Sequence, residues 1–486
     1  MSAATHYKTA PEDRVKVSHR VAYGAGAFVN NMLAAASGGM MIILNLALGM
    51  NPALVGLLGA IPRLTDAFTD PVMGFVSDNT RSRWGRRRPY LFWGAITVGI
   101  IFAVLWQLPR GQSEDFYYYW FLIGSILFFA AYTVFATPWV ALGYELTPDY
   151  HERTRLMGTQ SMIGNIVYLI SPFFLKFTTL DRFEDQLSGA AWLAILVGIV
   201  AIGLGIIPAI FLRERMKNIA KAESTTGKSF AEGMKDFIRG FGVTLRNGPF
   251  LKLCLATFMV FNGFMLIASF QPYVLIYYVK GGDQAAGATW IGWAGAAGTA
   301  CTILAVALVT RMASRIGKRH AFFVAIGLSI VGYGVRFFCY NPAHPWMVML
   351  PAPLLGFGFG GLWTLGPSMV ADVVDSDELK THERREGMFG SIFWWTVKLG
   401  ISAALAGGGL LLNATGFDVE LGGDQSARTL FLLRLFDAIV PVTTSAIAIW
   451  AIYKFPITEE KARAVREELE RRRGRLNDIE PSEDPA

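Results

Sequence analysis

The sequence predicts an all-α membrane protein of twelve spanning helices, arranged as two six-helix bundles built on one duplicated plan. Three observations lead there. Charged residues make up 17% of the 486 residues and hydrophobic residues 53%, whereas a soluble chain carries about a quarter charged residues. Apolar runs long enough to cross a bilayer, about 20 residues with few charges, recur along the whole chain. Two short motifs also return at nearly one spacing: SRWGRRRP from Ser82 and SRIGKRH from Ser314 are 232 residues apart, and HERTR from His151 and HERRE from His382 are 231 apart. Two matches at one offset imply a repeated six-span unit, and because six is even both copies keep the same orientation.

Taken in order, the apolar runs between charged or Gly/Pro breaks place spans near 20–48, 53–77, 89–108, 116–146, 155–177, 188–212, 249–279, 285–312, 319–338, 345–372, 386–412 and 428–453. The first is too long for the apolar core of a signal peptide, and it reads as an uncleaved span. Basic residues sort to one side. The Arg81–Pro89 loop, Arg153 and Arg155, the 213–247 segment, Arg311–Arg319 and Lys380–Arg385 fall on one face, and the opposite loops are poor in Lys and Arg. By the positive-inside rule both termini are cytoplasmic and the membrane is the cell inner membrane. The expected organisation is a cytoplasmic N-terminus (1–19), a first bundle (20–212), a charged linker (213–247), a second bundle (248–453) and a charge-paired, solubilising cytoplasmic tail (454–486).

The second span reads IPRLTDAFTDPVMGFVSD and carries the chemistry. Arg63, Asp66 and Asp70 stand at i, i+3 and i+7, one face of a helix. A carboxylate at the bilayer centre costs about 2.5 to 3.5 kcal/mol on insertion scales, so two acids with one arginine belong against a wet path or one another. Two acids and one base leave an excess negative charge suited to a monovalent cation or a proton, and Thr69 adds a neutral oxygen of the kind hard cations prefer. The bland alternative is a permanent ion-pair cluster that only pins helices.

DAFTDPVMG followed by SDNTRSRWGRRRP is similar to the second-span signature of the glycoside-pentoside-hexuronide:cation symporters of the major facilitator superfamily. YGAGAF (Tyr23 to Phe28), YTVFATPW (Tyr132 to Trp139), MVADVVDSDELK (Met369 to Lys380) and VKLG (Val397 to Gly400) follow in the family's order, so the resemblance covers nearly the whole membrane domain. It implies the major facilitator fold and a cation site of Asp66, Asp70, Thr69 and the span-four hydroxyl Thr133. Lys398 matches a span-eleven lysine near the same charges, so Arg63 and Lys398 are the expected coupling residues. The sugar side departs from the pattern. The resemblance implies anchoring carboxylates in spans one and four, but the aligned positions hold Asn31 and Ala136. A span-four aromatic survives, shifted by one, as Trp139, and Trp363 matches a span-ten tryptophan. Uncharged polar groups in spans need a partner or a ligand, so Asn30, Asn31, Thr137, Asn262 and Gln271 join Trp139 and Trp363 as candidate solute contacts. Asp78 with Arg86, Arg87 and Arg88 reads as a cytoplasmic gate latch, with Asp372, Asp375, Asp377, Arg384 and Arg385 as its counterpart in the second half; plain positive-inside topology is the competing reading.

Other chemistries lack their signatures. The six histidines lie at span ends or in loops, no His/Cys set has metal-ligand spacing, and no phosphate-binding loop is present. AGGGLL (Ala406 to Leu411) and GFGFGG (Gly356 to Gly361) suit close helix packing. Cys254, Cys301 and Cys339 lie in apolar segments, as packing residues. The expectation is therefore a secondary transporter and not an enzyme: symport of a sugar, glycoside or uronide with Na+ or H+, working as a monomer in the bilayer, with no cofactor beyond the ion and no nucleic-acid partner. An amphipathic solute such as a lysolipid is the alternative cargo, and a non-transporting solute sensor is the alternative class.

Overall fold

A computed structural model of the chain describes residues 14–80, 82–147, 150–214, 242, 246–382, 386–453 and 455–473. Among them every regular element is helical. The first half contains α1 (Val17–Gly39), α2 (Ile42–Leu48), α3 (Pro52–Asn79), α4 (Arg88–Leu105), α5 (Glu114–Glu145), α6 (Tyr150–Ile170), α7 (Phe174–Thr178) and α8 (Gln186–Phe211). The second contains α9 (Gly248–Tyr273), α10 (Gln284–Ile316), α11 (Lys318–Cys339), α12 (Ala352–Thr381), α13 (Glu386–Ala414), α14 (Ala427–Tyr453) and α15 (Glu459–Arg473).

Each of the twelve expected spans falls on one of these helices or on a broken pair. Local chemistry sets several of the ends. Asn51 accepts the Ala53 N–H at 2.9 Å ahead of Pro52 to start α3, and Ser113, with Glu114 and Asp115 in the first turn, starts α5. Both are ordinary N-terminal caps. Eleven described segments are long and apolar enough to cross a membrane. The twelfth expected span falls on α3, whose described apolar helix covers Pro52–Thr65; Asp66 and Asp70 follow in the sequence.

Spanning helices in lipid meet where small residues let backbones approach. On α4 and α8, a Cβ at Gly99 would stand 2.7 Å from the Gly198 carbonyl oxygen, and one at Gly198 would stand 2.6 Å from that of Gly99. On α12, Gly356 and Gly360 lie against Cys301 and Thr302 of α10, where added Cβ atoms would come within 2.9 and 3.2 Å. The GFGFGG run is thus a packing surface.

The chain packs as two units, and two segments of the second half belong to the first of them. One comprises Met1–Lys228, Gln271–Ala296 and Leu405–Leu433; the other comprises Ser229–Phe270, Ala297–Ala404 and Arg434–Ala486. Inside the first unit the end of α13 meets the start of α3. Asn413 Nδ2 donates to Asn51 Oδ1 at 2.7 Å, and a Cβ on Gly56 would stand 2.5 Å from the Leu405 carbonyl oxygen. The start of α10 meets the end of the fifth span in the same unit, with Trp293 edge-on to Phe173 at 5.6 Å and Lys176 Nζ donating to the Ala285 carbonyl at 3.2 Å. The second unit has its own apolar core, including Phe250, Phe322, Phe389 and Phe455.

The linker lies outside the described residues except for Arg213, Glu214, Gly242, Arg246 and Asn247. The tail differs from a purely solvated helix. α15 carries exposed pairs such as Arg463 with Glu459, yet it packs on α12 with Leu469 buried and Ala462 against the core.

Candidate functional site

The charged face of α3 lies along one stripe of α5. Phe129, Thr133 and Thr137 recur every four residues and form that stripe. The Arg63 guanidinium sits 5.2 Å from the centre of the Phe129 ring. Two turns further along α3, Asp70 Oδ1 accepts the Thr133 hydroxyl at 3.0 Å and lies 3.5 Å from the Thr137 hydroxyl. Thr69 and Thr133 are 3.3 Å apart, oxygen to oxygen. Thr133 is buried; Thr69 and Asp70 are half-buried. Asp66 precedes Asp70 by one turn on the same face of α3, and its side chain lies outside the described residues.

Oxygens coordinated at about 2.4 Å and roughly right angles lie about 3.4 Å apart. The spacings of 3.0 to 3.5 Å around Asp70 match such a shell. The donors are one carboxylate and three hydroxyls, a set suited to a hard monovalent cation or, on the carboxylate, to a proton. Among the described residues no three His, Cys, Asp or Glu side chains are grouped to hold a metal.

In the same unit, Tyr132, the α5 neighbour of Thr133, donates its hydroxyl to Asn30 Oδ1 at 2.8 Å, and Asn30 Nδ2 lies 3.4 Å from Asn31 Oδ1. Spans one and four, where the family resemblance implied acids, are joined instead by an uncharged network. Tyr132 was not singled out in the sequence; a tyrosine beside the cation-site threonine was the available signal. Trp139 does not belong to this network. It is buried, stacked on Tyr23 at 5.1 Å, with its indole N–H donated to the Tyr23 carbonyl at 3.2 Å. It packs α1 against α5.

The remaining candidates are placed as follows. In the second unit Trp363 is 40% exposed, edge-on to Phe261 at 5.5 Å and tilted against Trp394 at 5.5 Å. Asn262 of that unit returns its amide to the Phe258 carbonyl at 3.3 Å. Gln271 is half-buried at the end of α9 in the first unit, and Lys398 is half-buried on α13 in the second.

The expected latches have partners that the sequence did not suggest. Arg86 and Arg87 reach Glu145, at the end of α5, at 2.5 and 2.7 Å. Arg88 donates to the carbonyls of Ala209 and Ile210 at 2.6 and 3.1 Å. The Asp78 side chain lies outside the described residues. In the second unit Lys318 pairs with Asp372 at 2.7 Å, and Asn247 donates to Asp377 at 3.3 Å. Arg384 and Arg385 lie outside the described residues.

One buried charge cluster was not anticipated. Arg336 of α11 and Asp437 of α14 are 3% and 0% exposed and meet at 3.0 Å. The Tyr340 hydroxyl lies 2.7 Å from Arg336 Nε and donates to Asp437 Oδ2 at 2.6 Å. Ionisable residues inside apolar runs, Arg336 in one and Arg434 with Asp437 in the other, were the sequence signal.

Residues 22–459 match the family model described as MFS/sugar transport protein. A protein of Synechocystis sp. (strain ATCC 27184 / PCC 6803 / Kazusa) named as an uncharacterized symporter is 25% identical, over 95% of this chain and 98% of its own length. The isoprimeverose transporter of Lactiplantibacillus pentosus is also 25% identical, over 93% of this chain and 91% of its own. Among solved structures, a bacterial homolog to the human lysosomal transporter Spinster, inward-facing and unoccupied, is similar with a TM-score of 0.68 at 15% identity, covering 91% of this chain and 98% of that one. At that identity the likeness concerns the fold.

Proposed function

Because the chain belongs to the MFS/sugar transport protein family, and is therefore a multi-pass transporter and not an enzyme, we propose that it carries a sugar, glycoside or uronide together with Na+ or H+. The observation that carries this reading is the oxygen cluster of Asp70, Thr133, Thr137 and Thr69 against α5, one turn from Asp66. Relatives named as a symporter and as an isoprimeverose transporter support the coupling and the class of cargo.

In the proposed cycle the cation enters first. It neutralises the acids of α3, and the solute then binds beside the Tyr132, Asn30 and Asn31 network, whose amides and hydroxyl suit sugar hydroxyls. An unneutralised carboxylate facing the closing site costs several kcal/mol in low dielectric, so only the empty or doubly loaded carrier changes state. The carrier works as a monomer in the cell inner membrane with both termini in the cytoplasm.

The test is uptake into energised vesicles. Wild-type protein accumulates solute under a sodium or a proton gradient, and Asp70→Asn lowers accumulation at least about tenfold, the loss expected when a charge-assisted contact disappears, while the protein remains folded. Wild-type uptake that ignores both gradients would mean a facilitator.

A further inference from the structure

At the end of α4 farthest from its basic loop, the chain and the start of α8 enclose a cleft of about 440 Å³ that the cation site does not use. Its walls include Trp106, Gln107, Leu108, Arg110, Leu187 and Ser188. Trp106 is buried and edge-on to Phe121 at 5.1 Å. Gln107 Nε2 reaches the Ala103 and Ala191 carbonyls at 3.2 and 3.3 Å, so it ties α4 to α8 across the cleft. The rim is charged. Arg110 Nη2 lies 3.2 Å from both Glu184 Oε2 and Asp185 Oδ2, and it donates to the Ser188 hydroxyl at 2.9 Å. All of these contacts fall on one nitrogen. Nε and Nη1 of the guanidinium have no partner among the described residues, and they are donors of the planar fork that holds a phosphate by two parallel bonds.

One base against two acids leaves the rim with a single negative charge. A free anion is turned away by the acids and a simple cation by the guanidinium, whereas a group carrying both a phosphate and an ammonium meets each rim charge with its opposite. Two stripes lead from the cleft toward the middle of the spans. Gln107, Val104 and Ile100 share one face of α4, and Ser188, Trp192, Leu196 and Ile199 share one face of α8. Each stripe starts on a polar residue of the cleft and continues in exposed apolar side chains. The stripes flank the line where the two backbones meet at Gly99 and Gly198. A zwitterionic cleft running into an apolar groove has the polarity profile of a phospholipid, not of a water-soluble metabolite.

We propose that this cleft binds the headgroup of a phospholipid bearing a primary amine, with its phosphate on Arg110, its ammonium on Glu184 and Asp185, and its acyl chains along the stripes of α4 and α8. Phosphatidylethanolamine has this chemistry. A trimethylated amine offers no N–H to the carboxylates, and a headgroup with net negative charge meets the net negative rim, so phosphatidylcholine and phosphatidylglycerol fit less well. The site requires only that the chain spans a bilayer, and it stands apart from the reading of the cargo.

Native mass spectrometry of the full chain in detergent, titrated with these three lipids carrying identical acyl chains, reads the preference. One phosphatidylethanolamine should bind about tenfold more tightly than either other lipid, and Arg110→Gln should weaken it about tenfold, the loss of one charge-assisted contact. Glu184→Gln with Asp185→Asn should abolish the preference over phosphatidylcholine, and asparagine keeps the N-terminal cap of α8. These side chains are largely exposed, so the variants remain folded. Arg182→Gln, at an exposed base that does not line the cleft, should leave binding unchanged. Equal affinity for the three lipids, or an unaltered preference in Arg110→Gln, would reduce the bound lipid to a solvating annulus and overturn the proposal. Free phosphoethanolamine at equal concentration should not displace the lipid; displacement would mean that the stripes contribute nothing and would overturn the assignment to a lipid. A phosphatidylethanolamine with a photoreactive acyl chain should label residues 100–104 and 192–199, and even labelling of every exposed span face would refute the site.

Discussion

Removing the carboxylate of Asp437 should damage the protein more than removing the whole ion pair. Arg336 and Asp437 are buried within the second unit and share the Tyr340 hydroxyl. Asp437→Asn leaves a guanidinium in a low-dielectric interior with no counter-charge, which costs about 3 to 5 kcal/mol. Tyr340→Phe removes one hydrogen bond to a charged group, worth about 1.5 to 3 kcal/mol. The double change Arg336→Met with Asp437→Leu removes both desolvated charges and should be close to neutral or stabilising by about 1 to 4 kcal/mol. Arg336 Nη2 and Asp437 Oδ1 have no hydrogen-bond partner in the structure, which favours the upper part of that range. Thermal unfolding in detergent, followed by tryptophan fluorescence, should rank the double variant at or above wild type, then Tyr340→Phe, then Asp437→Asn. A double variant less stable than Asp437→Asn would refute the reasoning, because it would mean the pair contributes net stability instead of merely compensating its own burial.

Two further perturbations follow from local geometry. Gly56→Val puts side-chain atoms into the Leu405 carbonyl, at an overpacking cost of about 1 to 3 kcal/mol; labelling of Asn413→Cys by an impermeant maleimide should then rise about tenfold, and an unchanged labelling rate would show that this contact does not hold α3 to α13. Glu152 accepts the Val15 N–H at 3.1 Å and an Arg155 N–H at 2.7 Å. Burial opposes its charge, but these bonds and the Arg20 charge outweigh it and hold its pKa below the ordinary 4.5. Its stabilising effect is therefore complete above pH 4.5 and fades as pH falls through the lowered value. Glu152→Gln should be less stable than wild type near neutrality and equal to it in strong acid; a gap that persists in strong acid would argue against the ionised form as the source.

The spans were legible because each is written in one continuous run, and the charged face of α3 was legible because Arg63, Asp66 and Asp70 repeat at helical spacing. Thr133 came from its neighbours in YTVF, and the structure places its hydroxyl on Asp70. Side-chain partners far apart in sequence were not readable. Glu145 pairs with Arg86 and Arg87 nearly sixty positions away, at no spacing that marks a partner. Arg336 and Asp437 look like isolated anomalies until α11 and α14 are adjacent. Trp139 was ambiguous for a different reason: an indole serves equally well as a packing ring or a sugar platform, and its donation to the Tyr23 carbonyl leaves no mark in the sequence.

The mixed character of α3 also constrains how the chain is made. A helix bearing Arg63, Asp66 and Asp70 partitions poorly into lipid by itself, each such residue near the centre opposing entry by about 2.5 to 3.5 kcal/mol. The groups that receive Arg63 and Asp70, Phe129 and Thr133, are synthesised some sixty residues later. Pairing with α5 therefore lowers the cost of holding α3 in the bilayer once that helix has emerged.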